Sequence, residues 1–133
     1  MIPILYKADA VDFSTFGIGA LSECTLCEVT EERNGAFECT LKYPVTGRLF
    51  SELKNERLIK AKPNDTSEEQ LFRIYRITTP INGIVTIYAQ HISYDLSNIA
   101  ELVWSSGFIS PSLAISRIFT KTATTHNFKC STD

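Results

Sequence analysis

Apolar positions recur every second residue in two stretches of the chain, and each stretch turns on an Asn-Gly pair. Alternation of this kind predicts half-buried β-strands, and Asn-Gly between two such runs predicts a hairpin. The first hairpin covers residues 23–32 and 36–43. A two-residue loop at 34–35 would set Phe37, Cys39, Leu41 and Tyr43 opposite Glu32, Thr30, Glu28 and Leu26. That pairs an apolar face with a mostly polar one. A three-residue loop at 33–35 sets Cys39 opposite Val29, Leu41 opposite Cys27 and Tyr43 opposite Thr25, so both strands show one apolar face. A one-residue slip turns every side chain to the other face, so the longer loop is expected, with Gly35 as its left-handed residue.

The second hairpin covers residues 71–79 and 84–92 around Ile81-Asn82-Gly83. The same test favours three loop residues, pairing Thr79 with Val85, Ile77 with Ile87 and Tyr75 with Ala89, with Gly83 left-handed. Phe72 and Ile74 then fall on the other face, so a bulge or a doubly covered strand is expected.

The remaining elements are shorter. Residues 2–6 read as a strand, with Pro3 at its start or on an edge. Residues 7–21 read as a loop anchored by Phe13, Phe16 and Ile18. One or two helical turns are expected over 49–54, with Leu49, Phe50 and Leu53 inward, then a strand at 57–62 and a polar loop at 63–70. After residue 92 the pattern turns helix-like or irregular as far as Leu102. Ser110-Pro111 predicts a helix start, with an apolar stripe of Ala114, Ile115, Ile118 and Phe119 over 111–123. Phe128 to Cys130 reads as a strand start. Breaking off there, the chain reads as a fragment of a longer polypeptide.

With 133 residues, 44% of them hydrophobic, the chain can build a core and is not expected to be disordered. No apolar run approaches the roughly 18 residues of a membrane span, and residues 1–7 do not read as a signal peptide. The expected setting is therefore a cytoplasm with reduced thiols. The 13 basic and 15 acidic residues give no reason to expect nucleic-acid binding. Their distribution is uneven. Residues 1–47 carry seven acids and three bases, and residues 48–62 carry five bases and two acids. Opposed patches can guide self-association, although solvated surface is the plainer explanation.

Candidate chemistry is sparse. Cys24-Thr-Leu-Cys27 has C-x-x-C spacing, but a redox motif needs a helix N-terminus and this one falls within an expected strand. Cys27 and Cys39 are expected as diagonal neighbours packed like small hydrophobes. No zinc set forms from Cys24, Cys27, Cys39 and Cys130 with His91 and His126, because the histidines lack the spacing. A Cys–His dyad using His91 has nothing to orient it, and a structural histidine is expected. Glu28, Glu31, Glu32 and Glu38 cluster on the first hairpin; paired carboxylates serve glycosidases, but acids on a hairpin usually face water and blunt a sheet edge. No Gly-rich phosphate loop, G-x-S-x-G or H-E-x-x-H occurs. No catalytic, metal or cofactor residue is assigned.

Six strings, in this order, resemble one family. They are Ile2-Pro-Ile-Leu-Tyr6, Val29-Thr-Glu-Glu-Arg-Asn-Gly35, Tyr43-Pro-Val-Thr-Gly-Arg-Leu-Phe50, Phe72-Arg-Ile-Tyr-Arg-Ile77, Ile81-Asn-Gly-Ile-Val85 and Tyr88-Ala-Gln-His-Ile-Ser-Tyr-Asp-Leu96. They are similar to the N-terminal region of the phage minor structural proteins of Gram-positive siphophages and prophages, also called prophage tail endopeptidase or tail-associated lysin proteins. The resemblance covers residues 1–100 well. It implies a mainly β fold, α+β overall: an antiparallel β-barrel-like hub domain over residues 1–95, then the start of an inserted α/β segment over 96–133. It implies a structural role at the virion tail tip (the baseplate hub), with three copies in a ring that continues the tail tube. The implied partners are the distal tail and tape-measure proteins, with DNA only in passage and no membrane insertion. Peptidoglycan cleavage in the family belongs to a C-terminal domain, so this chain is expected not to be an enzyme. In the ring, the Glu-rich hairpin would line or rim the channel. Two alternatives stand beside this: a cell-wall hydrolase, and a carbohydrate- or receptor-binding tail module with an aromatic groove using Tyr88, Tyr94 or Trp104.

Overall fold

The structure is a computed structural model and describes residues 2–98. Its strands are β1 (Ile4–Tyr6), β2 (Gly19–Ala20), β3 (Leu26–Glu31), β4 (Phe37–Pro44), β5 (Leu58–Ala61), β6 (Gln70–Ile77) and β7 (Ile84–His91). They form one antiparallel sheet in the order β2-β1-β5-β6-β7-β4-β3. The sheet is mainly β with almost no helix, and it curls into a half-barrel. Among the described residues it stays open, with β2 at one margin and β3 at the other. This unit ends at Ile92, and a second begins at Ser93. A 3-10 helix runs over Ile92–Asn98. The expected helix at 111–123, the strand start at 128–130, Trp104, His126, Cys130 and nearly all of the 96–133 segment lie outside the described residues.

Alternation decides which face is buried. In β4, Cys39, Leu41 and Tyr43 point inward; in β7, Val85, Ile87 and Ala89 do. They meet Phe72, Ile74, Ile59, Ala61 and Leu5 in one core, closed at its end by Leu49 and Leu53. Leu49 and Leu53 flank a single 3-10 turn, Phe50–Glu52, at the place expected for one or two helical turns. A smaller cluster of Ile4, Tyr6 and Leu58 lies on the other face of the sheet under Phe13 and Ile92.

The first hairpin has the expected three-residue loop. Val29 pairs with Cys39 and Cys27 with Leu41, and the Glu32 N–H donates to the Ala36 carbonyl at 2.8 Å. The left-handed residue, however, is Asn34 at φ 58°, not Gly35. The Gly35 N–H closes the turn onto the Glu32 carbonyl at 3.0 Å, which makes Asn34 the third residue of a four-residue turn. A positive φ there is the mark of a type II turn, and Asn tolerates it.

The second hairpin corrects the expectation differently. Ile77 pairs with Ile87 as expected, but Ile81 and Ile84 exchange both backbone hydrogen bonds. The loop is therefore two residues, with Asn82 at φ 53° and Gly83 at φ 74°, a type I′ turn. The extra residue sits instead near Thr79-Pro80, where Pro80 has no N–H to give to the ladder. A second irregularity lies between Ile74 and Arg76: Ala89 faces Ile74, so Tyr75 is the bulged residue rather than Ala89's partner. The bulge keeps Phe72 and Ile74 in the core and pushes Tyr75 out to 43% exposure.

The 7–21 loop is tied to the sheet mainly by polar contacts. The Tyr6 hydroxyl donates to the carbonyls of Phe13 and Thr15, and Lys60 Nζ donates to Phe13 O at 2.8 Å. Phe13 packs edge-on against Tyr6, with ring centroids 5.1 Å apart, and Ile18 reaches the core. Phe16 is 74% exposed and anchors nothing, while Gly19–Ala20 adds a strand that the pattern did not predict. Glu56 holds a left-handed backbone at φ 73° in the turn before β5. Such a conformation costs an L-residue about 1–2 kcal/mol. Glu56→Gly should therefore raise stability by roughly 0.5–1 kcal/mol, seen as a higher urea midpoint at unchanged slope.

Candidate functional site

β3 is the long free margin of the sheet. Its outer backbone groups have no strand partner among the described residues. The Glu32 N–H points to β4, so by alternation the N–H groups of Cys27, Val29 and Glu31 point away from the sheet. An exposed row of this kind is a template for another strand.

The face opposite the core carries polar rows across four strands. One runs Glu28–Thr40–Tyr88–Arg76, and its neighbour runs Thr30–Glu38–Gln90–Arg73. The Arg76 guanidinium lies 5.6 Å from the Tyr88 ring centre, and the Tyr75 ring is 6.4 Å away on the other strand. Burial pushes the Tyr75 phenol above its usual range, and the Glu38 charge adds to the shift. The four glutamates of the first hairpin do not act as one cluster. Glu28 and Glu38 share the polar face as diagonal neighbours, Glu31 lies on the core side opposite Phe37, and Glu32 sits in the turn. The basic stretch 48–62 is partly cancelled: Arg57 pairs with Glu52 at 2.5 Å and Lys60 with Glu69 at 3.1 Å. The Glu52 carboxyl is held below its usual range, first by the hydrogen bond from Arg57.

Cys27 and Cys39 meet across β3 and β4 with their sulfurs 3.9 Å apart, as the diagonal register requires. Cys39 is buried and Cys27 exposed. The contact between the two thiols holds Cys27 below its usual range, since a Cys27 thiolate accepts the Cys39 S–H, and the same contact together with burial pushes Cys39 far up. Cys24 precedes β3, half-buried, and burial raises it. His91 stacks on Phe37 at 4.3 Å between ring centres and meets the Phe72 edge at 5.7 Å. Its Nε2 lies 3.0 Å from Gln70 Oε1, and burial lowers its pKa. These contacts suit a histidine that packs the end of the core. Among the described residues no group of His, Cys, Asp and Glu is arranged to hold a metal ion.

A polar latch closes the sheet end near Tyr43. The Tyr43 hydroxyl donates to Glu23 at 2.8 Å and accepts from the Leu49 N–H at 3.2 Å, while the Arg48 N–H reaches Glu23 at 2.7 Å. Those two hydrogen bonds, the Arg48 one first, hold the Glu23 carboxyl below its usual range. An open cavity of 610 Å³ lies beside the 7–18 loop and mixes Lys7 and Arg57 with Asp9, Asp12 and Glu52. Arg57 is already bound to Glu52, so the lining favours no one sign of ligand.

Of the aromatics expected for a sugar groove, Tyr88 lies on the polar face and Tyr94 belongs to the second unit. Tyr75, which the alternation placed inside, is the residue that joins Tyr88. Its signal was present: Phe72, Ile74 and Ile77 leave a step of three where a regular strand has steps of two.

No family model, curated protein or solved structure matches the chain.

Proposed function

We propose that this chain is a structural module of a phage or prophage tail tip that self-assembles, edge to edge, into a ring continuing the tail tube. The observation that carries this reading is the open, curled sheet whose longest outer strand, β3, leaves a row of backbone groups without a strand partner among the described residues. The six ordered sequence blocks supply the family context. In the assembly, β3 of one copy extends the sheet of the next. Glu28 and Glu38 then face the channel from the β3–β4 end of the polar rows, where their negative charge keeps DNA from adhering, while Arg73 and Arg76 stand at the β6 end of the same rows. Glu31 has no part in that wall. The chain itself catalyses no reaction in this reading; it binds copies of itself and, in the particle, the distal tail and tape-measure proteins.

Proline scanning of the free margin tests the reading. Glu31→Pro removes an N–H that points away from β4, so the monomer keeps its fold while association is lost. Thr30→Pro removes an N–H that bonds β4, so it lowers stability as well. Light scattering and thermal unfolding on both variants separate the two effects. Unchanged association in folded Glu31→Pro would exclude β3 as the joining strand.

A further inference from the structure

We propose that Cys27 and Cys39 form a working dithiol, which closes to an intramolecular disulfide by exchange with a small diffusible disulfide such as oxidised glutathione. Both side chains leave the same face of adjacent strands, two positions out of register, and their sulfurs already lie 3.9 Å from each other. A disulfide needs about 2.05 Å. Diagonal neighbours on an antiparallel pair lie about 7–8 Å apart between Cα atoms, wider than a relaxed disulfide spans, so closure also draws β3 toward β4; β3 is an outer strand held on one side only, and Cys27 on it is exposed.

The two thiols also divide the labour. Cys27 is exposed and can meet a solvent-borne disulfide; Cys39 is buried beneath it and cannot. The hydrogen bond from Cys39 favours the Cys27 thiolate, the form that attacks. In the first step the Cys27 thiolate bonds to one glutathione sulfur, the glutathione S–S bond breaks, and one glutathione leaves as thiolate. In the second, Cys39 gives its proton to solvent and attacks the Cys27 sulfur, expelling the second glutathione thiolate. Two protein thiols are oxidised, one glutathione disulfide is reduced, and the protons end on the two glutathione thiols.

The product ties the free margin strand to β4 without using the outward N–H groups of β3. It would therefore hold the assembly edge in place while leaving it open to a partner strand.

The test is peptide mapping of the full chain by mass spectrometry after incubation with oxidised glutathione. The expected result is a Cys27–Cys39 cross-linked peptide lighter by two hydrogens, with the β3 amides exchanging about tenfold more slowly in the oxidised protein. In Cys27→Ser, Cys39 should stay a free thiol under the same treatment. A glutathione adduct persisting on Cys27, a Cys24–Cys27 bridge, cross-links only between chains, or four unmodified thiols would each overturn the proposal. So would oxidation of Cys39 in Cys27→Ser at the wild-type rate.

Discussion

Phe72→Ala should cost about 3–5 kcal/mol of folding stability, while Tyr75→Ala in the same strand should change it by no more than about 0.5 kcal/mol. Phe72 is fully buried, with Phe37 edge-on at 5.5 Å and His91 beside it, so its removal leaves a cavity that β4 and β7 cannot fill. Tyr75 is the bulged residue and stands on the polar face. Urea unfolding of the two variants gives the comparison directly. The contrast matters because a regular strand would reverse it: with Tyr75 opposite Ala89, tyrosine would be the core residue and Phe72 would face away. A Tyr75→Ala loss as large as that of Phe72→Ala would remove the bulge from the account, and with it the aromatic part of the polar face.

The second large effect is expected at Gly47. The turn Pro44-Val45-Thr46-Gly47 closes with the Gly47 N–H on the Pro44 carbonyl at 2.9 Å, and the backbone of Gly47 lies against the ring of Tyr43. A Cβ there would come within 2.6 Å of Tyr43 Cζ and 2.8 Å of its hydroxyl oxygen. The ring cannot yield, because it is buried and its hydroxyl is held by both Glu23 and the Leu49 N–H. Gly47→Ala should therefore destabilise by about 1–3 kcal/mol, the usual range for overpacking. The midpoint of thermal unfolding would fall by roughly 4–8 °C for each kcal/mol. Adding Tyr43→Leu, which removes the obstructing atoms, should make the two changes less than additive. Strict additivity would mean that the turn moves freely and that the latch does not hold it.

These two sites also show what the amino-acid pattern could and could not disclose. Strand positions and both hairpins were legible because β4 and β7 alternate strictly, and alternation is a local property. The register of the first hairpin was legible for the same reason. The identity of the left-handed residue was not: Asn34 and Gly35 can both take a positive φ, and the choice between them depends on which turn the flanking twist accepts. In the second hairpin the total offset of Ile77 and Ile87 was correct while its distribution was not. Moving the extra residue from the loop to Thr79-Pro80 leaves that pairing unchanged. Pro80 was the clue, since it cannot serve a ladder. The short strand at Gly19–Ala20 rests on hydrogen bonds from the 18–21 segment to Leu5 and Pro3, which no periodicity announces.

The candidate surface divided in the same way. The diagonal meeting of Cys27 and Cys39 followed from register alone. The separation of the glutamates also follows from period two, since Glu28 and Glu31 are three positions apart and must face opposite ways. Treating them as one cluster overlooked that rule, and the corrected set is Glu28 with Glu38. The open margin, by contrast, depends on the order of strands in the sheet, a long-range property that hairpin patterns do not contain.

Self-association through that margin is the centre of the account. Multi-angle light scattering on the purified chain over a wide concentration range tests it most directly. The expected mass rises from that of the 14.9 kDa chain toward three times that value, and stays at one copy in Glu31→Pro. A chain that remains at 14.9 kDa at every concentration and ionic strength would contradict it.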